Sequence, residues 1–289
     1  MTNILSEKKS FYRVVYLLVI LFVIFLVTNA FAQSLFITKK DRVNLVIYGQ
    51  EPQYYSFSES DTVDYTAIFD EETKISVPGG YGQYRFGALG WLVSDQKKPQ
   101  IFQKAFSTAT SSIVDFYFYK GGDMIFHKDS NIKEVVTAPN IYKILFYRSN
   151  ASIFDRLYLF LRLVSGNRNT LSKLDYKDKE RFLKNYQGYL YQKTYRNDNK
   201  NVQIVYSKSY NTAVNMANIL TGNGINVVDI SGQENSNSSF CIILEDSPKL
   251  SQTAKDIARF LNCKLERKNT KVFDIIILLG KKEADWEVD

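Results

Sequence analysis

The chemistry open to this chain is concentrated in a few side chains. Asp61 stands in a Ser60-Asp61-Thr62 tripeptide, Glu71 and Glu72 follow in an acidic turn, and Arg85 comes after the Pro78-Gly79-Gly80 break. Convergent carboxylate oxygens hold a hard divalent cation, and an arginine fork holds a phosphate through paired N–H donors. The plain alternatives are a solvated acidic turn and a salt-bridged surface arginine. Farther along, Arg156 and Arg162 lie within the apolar run 152–164. There they either line a lipid-phosphate groove or form the wet side of an amphipathic helix. Residues 177–196, with Lys177, Lys184 and Arg196, interleave cations with tyrosines. Tyrosine stacks on sugar rings while lysine meets phosphate, so the stretch suits an anionic wall polymer or lipid headgroups. A solvated helix face and linker is the bland reading.

Several reaction classes are excluded. His127 is the single histidine, and Cys241 and Cys263 are the two cysteines. A Cys/His zinc site lacks ligands, and His127 has no identifiable partner for a triad. Neither a P-loop nor a G-x-G-x-x-G sequence occurs, so nucleotide chemistry has no support. The two cysteines are either a disulfide, open to them outside the cytoplasm, or two buried thiols.

The formal net charge of +7 is uneven. Residues 1–140 carry 14 basic and 14 acidic side chains, residues 141–200 carry 13 and 5, and residues 201–289 carry 10 and 11. One middle band therefore holds the imbalance and points to an anionic partner.

The elements that must position these groups begin with an apolar segment, residues 11–32, preceded by Lys8 and Lys9. It is long enough to span a bilayer, and its flanking lysines keep the N-terminus in the cytoplasm. Ala30-Phe31-Ala32 before Gln33 also reads as a signal-peptidase site, which would release a secreted protein. Either way the remainder is extracytoplasmic, and that compartment opposes nucleic-acid binding. Residues 43–49 predict a buried strand, 53–57 and 63–69 a hairpin, 74–77 a strand, 84–94 a helix or tightly packed stretch, 101–110 a helix and 113–119 a strand, closing a β-α-β unit. Helix 152–164 is expected to bury Ile153, Leu157, Phe160, Leu161 and Val164, with Ser149 or Asn150 as its cap. Residues 197–201 read as a linker. Beyond it the pattern is β-α-β-β-α-β, a two-layer domain, with its second helix capped by Ser247 and Pro248.

The run VQIVYSKSYNTAVNMANILTGNGINVVDI, the helix KLSQTAKDIARFL and the closing DIIILLGKK resemble the LytR C-terminal domain over about residues 201–283. Asn44–Gly49, the hairpin, Ile75-Ser-Val-Pro-Gly-Gly-Tyr-Gly82, Tyr84–Leu89 and Ile113–Phe118 resemble a shortened, divergent LytR-CpsA-Psr domain over about residues 43–120. The resemblance implies a membrane-anchored bacterial envelope protein. Active members transfer glycopolymers from a polyprenyl-pyrophosphate carrier, with magnesium and arginines on the pyrophosphate. Here the family's acid-bearing insert is absent, its arginine position falls at Asp70-Glu71-Glu72, and only Arg85 of the motif remains, with Gly87 in place of the following Asn. The expected fold is α/β. Its parts are a cytoplasmic tail 1–10, an anchor or signal peptide 11–32, a juncture 33–42, a LytR-CpsA-Psr-like domain 43–196, the linker 197–201, a LytR C-terminal-like domain 202–283 and a tail 284–289. The expected activity is non-catalytic binding of cell-wall glycan or an envelope protein partner, without a cofactor. The alternative is residual transferase activity, with Arg85 on phosphate and magnesium at Glu71 and Glu72.

Overall fold

The run Val43-Asn44-Leu45-Val46-Ile47-Tyr48 offers water no polar face, so it must be covered on both sides. The computed structural model, which describes residues 2–38, 40–121, 141–164, 170–233 and 240–288, meets that demand. An apolar helix α1 (Thr2–Ala32) leads into a short helix α2 (Leu35–Thr38). The central strand β1 (Arg42–Tyr48) is buried throughout. The hairpin β2 (Gln53–Ser58) and β3 (Val63–Ile68) pairs beside it, antiparallel throughout. A second hairpin, β4 (Lys74–Val77) and β5 (Gly82–Arg85), leads through a 3-10 turn, Phe86–Ala88, into α3 (Leu89–Gln96) and α4 (Gln100–Thr110). Strand β6 (Phe116–Tyr119) returns parallel to β1. Then come α5 (Ile141–Phe146), β7 (Arg148–Ser149), α6 (Ile153–Val164), β8 (Thr170–Asp175), α7 (Lys179–Tyr186) and α8 (Lys193–Asp198). The sheet order is β7-β6-β1-β2-β3-β8.

Alternate residues of β1 face opposite sides of this sheet. Val46 and Tyr48 enter a core with Phe102 and Phe106 of α4 and Leu92 of α3. Val43, Leu45 and Ile47 enter a second core with Leu35, Ile144 and Leu159. The first domain is therefore a helix–sheet–helix sandwich. The juncture expected at 33–42 is part of it, because Leu35 is buried and the Leu35 N–H donates to Asp155 at 2.8 Å.

The second domain holds β9 (Asn201–Tyr206), α9 (Tyr210–Gly222), β10 (Asn226–Gly232), β11 (Ile242–Glu245), α10 (Gln252–Leu261), β12 (Lys264–Arg267) and β13 (Ile275–Leu278). Its sheet order is β10-β9-β13-β11-β12. Strand β12 was not expected; polar Lys264 and Glu266 hide it, and it pairs with β11 from the sheet edge. Ser251, not Ser247, caps α10 by accepting from the Ala254 N–H. The linker expected at 197–201 is short: α8 runs to Asp198 and β9 opens at Asn201, so only Asn199 and Lys200 lie between elements. The stretch expected as a tail, 284–289, contains a core residue: Trp286 is buried with Ile257, Leu261 and Leu279.

The two domains are packed together. Asn215 of α9 donates to the Thr108 hydroxyl of α4 at 3.1 Å. A Cβ on Gly222 would lie 1.7 Å from the Ser111 carbonyl oxygen, so only glycine permits this approach. The backbone N–H groups of Gly79 and Gly80, both at positive φ, donate to the Glu287 carbonyl at 2.8 and 3.2 Å.

Helix α6 corrects one expectation outright. Ile153, Leu157, Leu161 and Val164, expected in the core, are the exposed face, and Leu159 is buried instead. Its cap is Ser152, whose hydroxyl accepts from the Asp155 N–H, rather than Ser149 or Asn150. His127 and most of the mixed stretch 123–148 lie outside the described residues.

Candidate functional site

The residues singled out in the sequence are scattered in space. Arg85, at the end of β5, donates to both carboxylate oxygens of Glu72 at 2.7 Å. The phosphate fork and one expected metal ligand thus neutralise each other at the surface. Glu71 is buried, and its carbonyl caps the Gly87 N–H. Asp61, in the β2–β3 turn, lies 2.9 Å from both Arg42 and Lys193. The Lys193 hydrogen bond and the Arg42 charge outweigh burial and hold its carboxyl below the usual range.

Arg156 is neither on a groove nor on a wet face. It reaches inward and donates to the carbonyls of Leu145, Tyr147 and Ala151. Arg162 does the same toward Glu59 and the Ser58 carbonyl, each at 2.7 Å. Lys177 lies 3.8 Å from Asp175, Lys184 is exposed on the last turn of α7, and the Arg196 guanidinium stands over the Tyr191 ring. Much of the basic band is bound up in holding its own fold. Cys241, entering β11, and Cys263, leaving α10, are joined in a disulfide with a Cα separation of 4.9 Å.

A different concavity gathers cations. A groove of about 570 Å³ runs between α4 of the first domain and α10 with the closing segment of the second. Lys98 and Lys104 come from one side; Arg259 and Lys282 come from the other. It adjoins a shallower depression of about 340 Å³, lined by Lys264, Lys281 and the disulfide's Cys241, with Asn262, Lys282 and Asp285 lining both. Six cations thus face one lining carboxylate, Asp285. Arg259 and Lys264 also keep carboxylate partners behind them, Asp256 at 3.2 Å and Glu266 at 2.7 Å.

Local structure explains the placement. The Pro78-Gly79-Gly80 turn, tied to the Glu287 carbonyl, sets Tyr81 at the rim, where its hydroxyl lies 3.4 Å from Lys98 Nζ. Lys104 projects from α4, donates to the Asp285 carbonyl at 2.7 Å and stands 5.6 Å from the centre of the Trp286 ring. Phe260 packs against Trp286 with ring centres 5.1 Å apart. The closing 3-10 segment Gly280–Trp286 is fastened by Glu283, a buried carboxylate that accepts from the backbone N–H groups of Ser207, Lys208 and Ser209 at the start of α9.

Crowded cations shift one another. Burial first, then Lys282 and Lys98, push the Lys104 ammonium below its ordinary value, against the opposing pull of Asp285. Burial raises the Asp285 carboxyl, but Lys282, Lys104 and Lys98 overcome it and leave it below the usual range. A site with this excess of cations and with the half-buried rings of Tyr81 and Phe260 beside them favours an elongated anionic ligand that also offers flat sugar faces.

These residues were missed because they are dispersed along the chain in regions of balanced charge. The available signals were two lysine pairs, Lys97-Lys98 and Lys281-Lys282, and a tryptophan near the end of the chain, since a large apolar residue seldom lies in a free tail.

No protein-family model matches the chain, and no curated protein matches it. Among solved structures it is similar to a LytR-CPS2A-psr family protein, YwtF (TagT), with bound octaprenyl pyrophosphate lipid. The identity is 10% and the TM-score 0.37, over 50% of this chain and 87% of that one. A likeness of that size assigns the chain neither family nor activity.

Proposed function

We propose that the chain is a membrane-anchored, extracytoplasmic protein of the bacterial envelope that holds an anionic wall polymer in the interdomain groove without transforming it. The observation that carries the reading is the groove together with its adjoining depression: six cations from two domains, one lining carboxylate, and the half-buried rings of Tyr81 and Phe260 beside them. The pairing of Arg85 with Glu72 supports binding over transfer, since a carboxylate already occupies Nη1 of that guanidinium and offsets its charge. Two features support the compartment. Val15–Ala32 is long and apolar enough to cross a membrane and lies outside the protein core, and a disulfide persists where thiols oxidise. The junction after this helix is packed into the first domain: Phe31 meets Phe154 and Phe36 meets Tyr158. That packing favours a retained anchor over a cleaved leader.

The test uses detergent-solubilised full-length protein and purified wall sacculi bearing their anionic polymer. Retention is expected to weaken with salt. In the triple variant Lys98→Gln, Lys104→Gln, Lys282→Gln it should fall about tenfold, from roughly half a kcal/mol per screened surface cation. The pair Lys177→Gln, Lys184→Gln should change it little. Equal losses in the two variants, or none in the triple, overturn the groove as the site. Magnesium-dependent transfer of glycan from a polyprenyl-pyrophosphate carrier that is lost in Arg85→Ala overturns the non-catalytic reading.

A further inference from the structure

Helix α6 is amphipathic in the wrong direction for a globular domain. Its three charged side chains all point into the protein: Asp155 to the Leu35 N–H and the Ser152 hydroxyl, Arg156 to three carbonyls, and Arg162 to Glu59 and Ser58. The opposite face carries Ile153, Leu157, Leu161 and Val164, exposed at 77%, 44%, 48% and 55%. Phe160 lies among them on the helical wheel, and at the spacing of an α-helix the five residues fill an arc of about 100°. No charged residue of α6 belongs to this face, although exposed aliphatic stripes are normally buried in something.

What lies next to the stripe identifies the cover. The ring of Phe31, in the last turn of α1, packs edge-on against Phe154 at 5.3 Å between centres. Phe31 belongs to the apolar stretch Val15–Ala32. The tie between Leu35 and Asp155 fixes α6 within a turn or two of the point where α1 leaves its apolar stretch. Helix α5 packs along α6 and ends in Phe146, which is 80% exposed.

We infer that the outward face of α6 lies in the surface of the lipid bilayer crossed by α1, as a second membrane contact continuous with the span. An apolar helix face of this size buries its side chains at the boundary between headgroups and acyl chains. The span fixes where the domain sits, and α6 fixes which side of it turns toward the lipid. The inference rests on α1 being a span, as proposed above, and the experiment reads the two separately.

Full-length protein is placed in nanodiscs of phosphatidylethanolamine and phosphatidylglycerol. One introduced cysteine at a time carries a nitroxide: Leu157→Cys, Leu161→Cys, Leu21→Cys within α1, and Lys255→Cys on the exposed side of α10. The native cysteines are already bonded to each other. Collision with oxygen is compared with collision with a water-soluble nickel chelate. Labels at 157 and 161 are expected to favour oxygen several-fold more than the label at 255, approaching the label at 21. If 21 reads as lipid while 157 and 161 match 255, the inference is overturned and the span stands. If 21 reads as water, both fall. Spin–spin broadening at 157 that grows with protein loading would place a second copy on the face, and would also overturn the inference.

Discussion

Helices α6 and α10 are built from the same pattern and oriented oppositely. Each is strongly amphipathic and only a few turns long. Helix α10 buries Ala254, Ile257, Ala258 and Leu261 and shows Lys255 and Arg259 to solvent. Helix α6 buries Leu159, turns its arginines inward and shows its aliphatic residues outward. Periodicity finds an apolar stripe but does not say what covers it. The deciding information lies in the partners of the charged residues. Arg156 finds three carbonyls and Arg162 finds Glu59, so in each case the guanidinium is better satisfied inside than in water.

This contrast can be broken by mutation, most forcefully in α10. Ile257→Ala should cost about 2–5 kcal/mol, because the residue is fully buried and its neighbours close only partly over the cavity; urea unfolding of the detergent-solubilised protein reads it. Replacing Cys241 and Cys263 together by serine should cost about 3 kcal/mol, from the loop entropy restored to the unfolded chain when residues 22 apart are released. That loss should equal the effect of reductant on the native protein. In α6 the sensitive position is a charged one. Arg156→Ala should cost about 1–3 kcal/mol by leaving carbonyls unpartnered, whereas Leu157→Ser should stay within about 0.5 kcal/mol in the same assay. A Leu157→Ser cost as large as that of Ile257→Ala would show that the exposed stripe is core after all. The mildest probe is pH. Lys104 is pushed below its ordinary value by burial and by Lys282 and Lys98, so it loses its proton before an ordinary lysine does. Retention on sacculi should therefore begin to fall as pH rises toward 10.5 from below, and Lys104→Arg should delay that fall.

The first domain was readable from sequence where local pattern and tertiary demand agree. Strand β1, the β2–β3 hairpin and α4 emerge from runs such as Val43–Tyr48 and from the spacing of Ile101, Phe102, Ala105 and Phe106. Strands β8 and β12 did not emerge. Each is short and polar on one side, and each is set by its partner, β3 and β11 respectively. The groove was not legible at all. Its lysines stand on separate elements, Lys98 before α4 and Lys282 in the closing segment, and only the packing of α4 on α9 through Gly222 draws them together. The dense cation run 141–200 is the conspicuous charge feature of the sequence, yet Arg156, Arg162 and Lys193 serve the fold around them.

The disulfide has a consequence beyond stability. Cys241 lines one end of the cationic groove and Cys263 follows directly on Asn262, which lines both of its parts. The lining of the groove is therefore finished by formation of a disulfide. If the groove holds an anionic polymer as proposed, reductant should loosen that end of it, and retention on sacculi should be weaker with the bond reduced than with it intact.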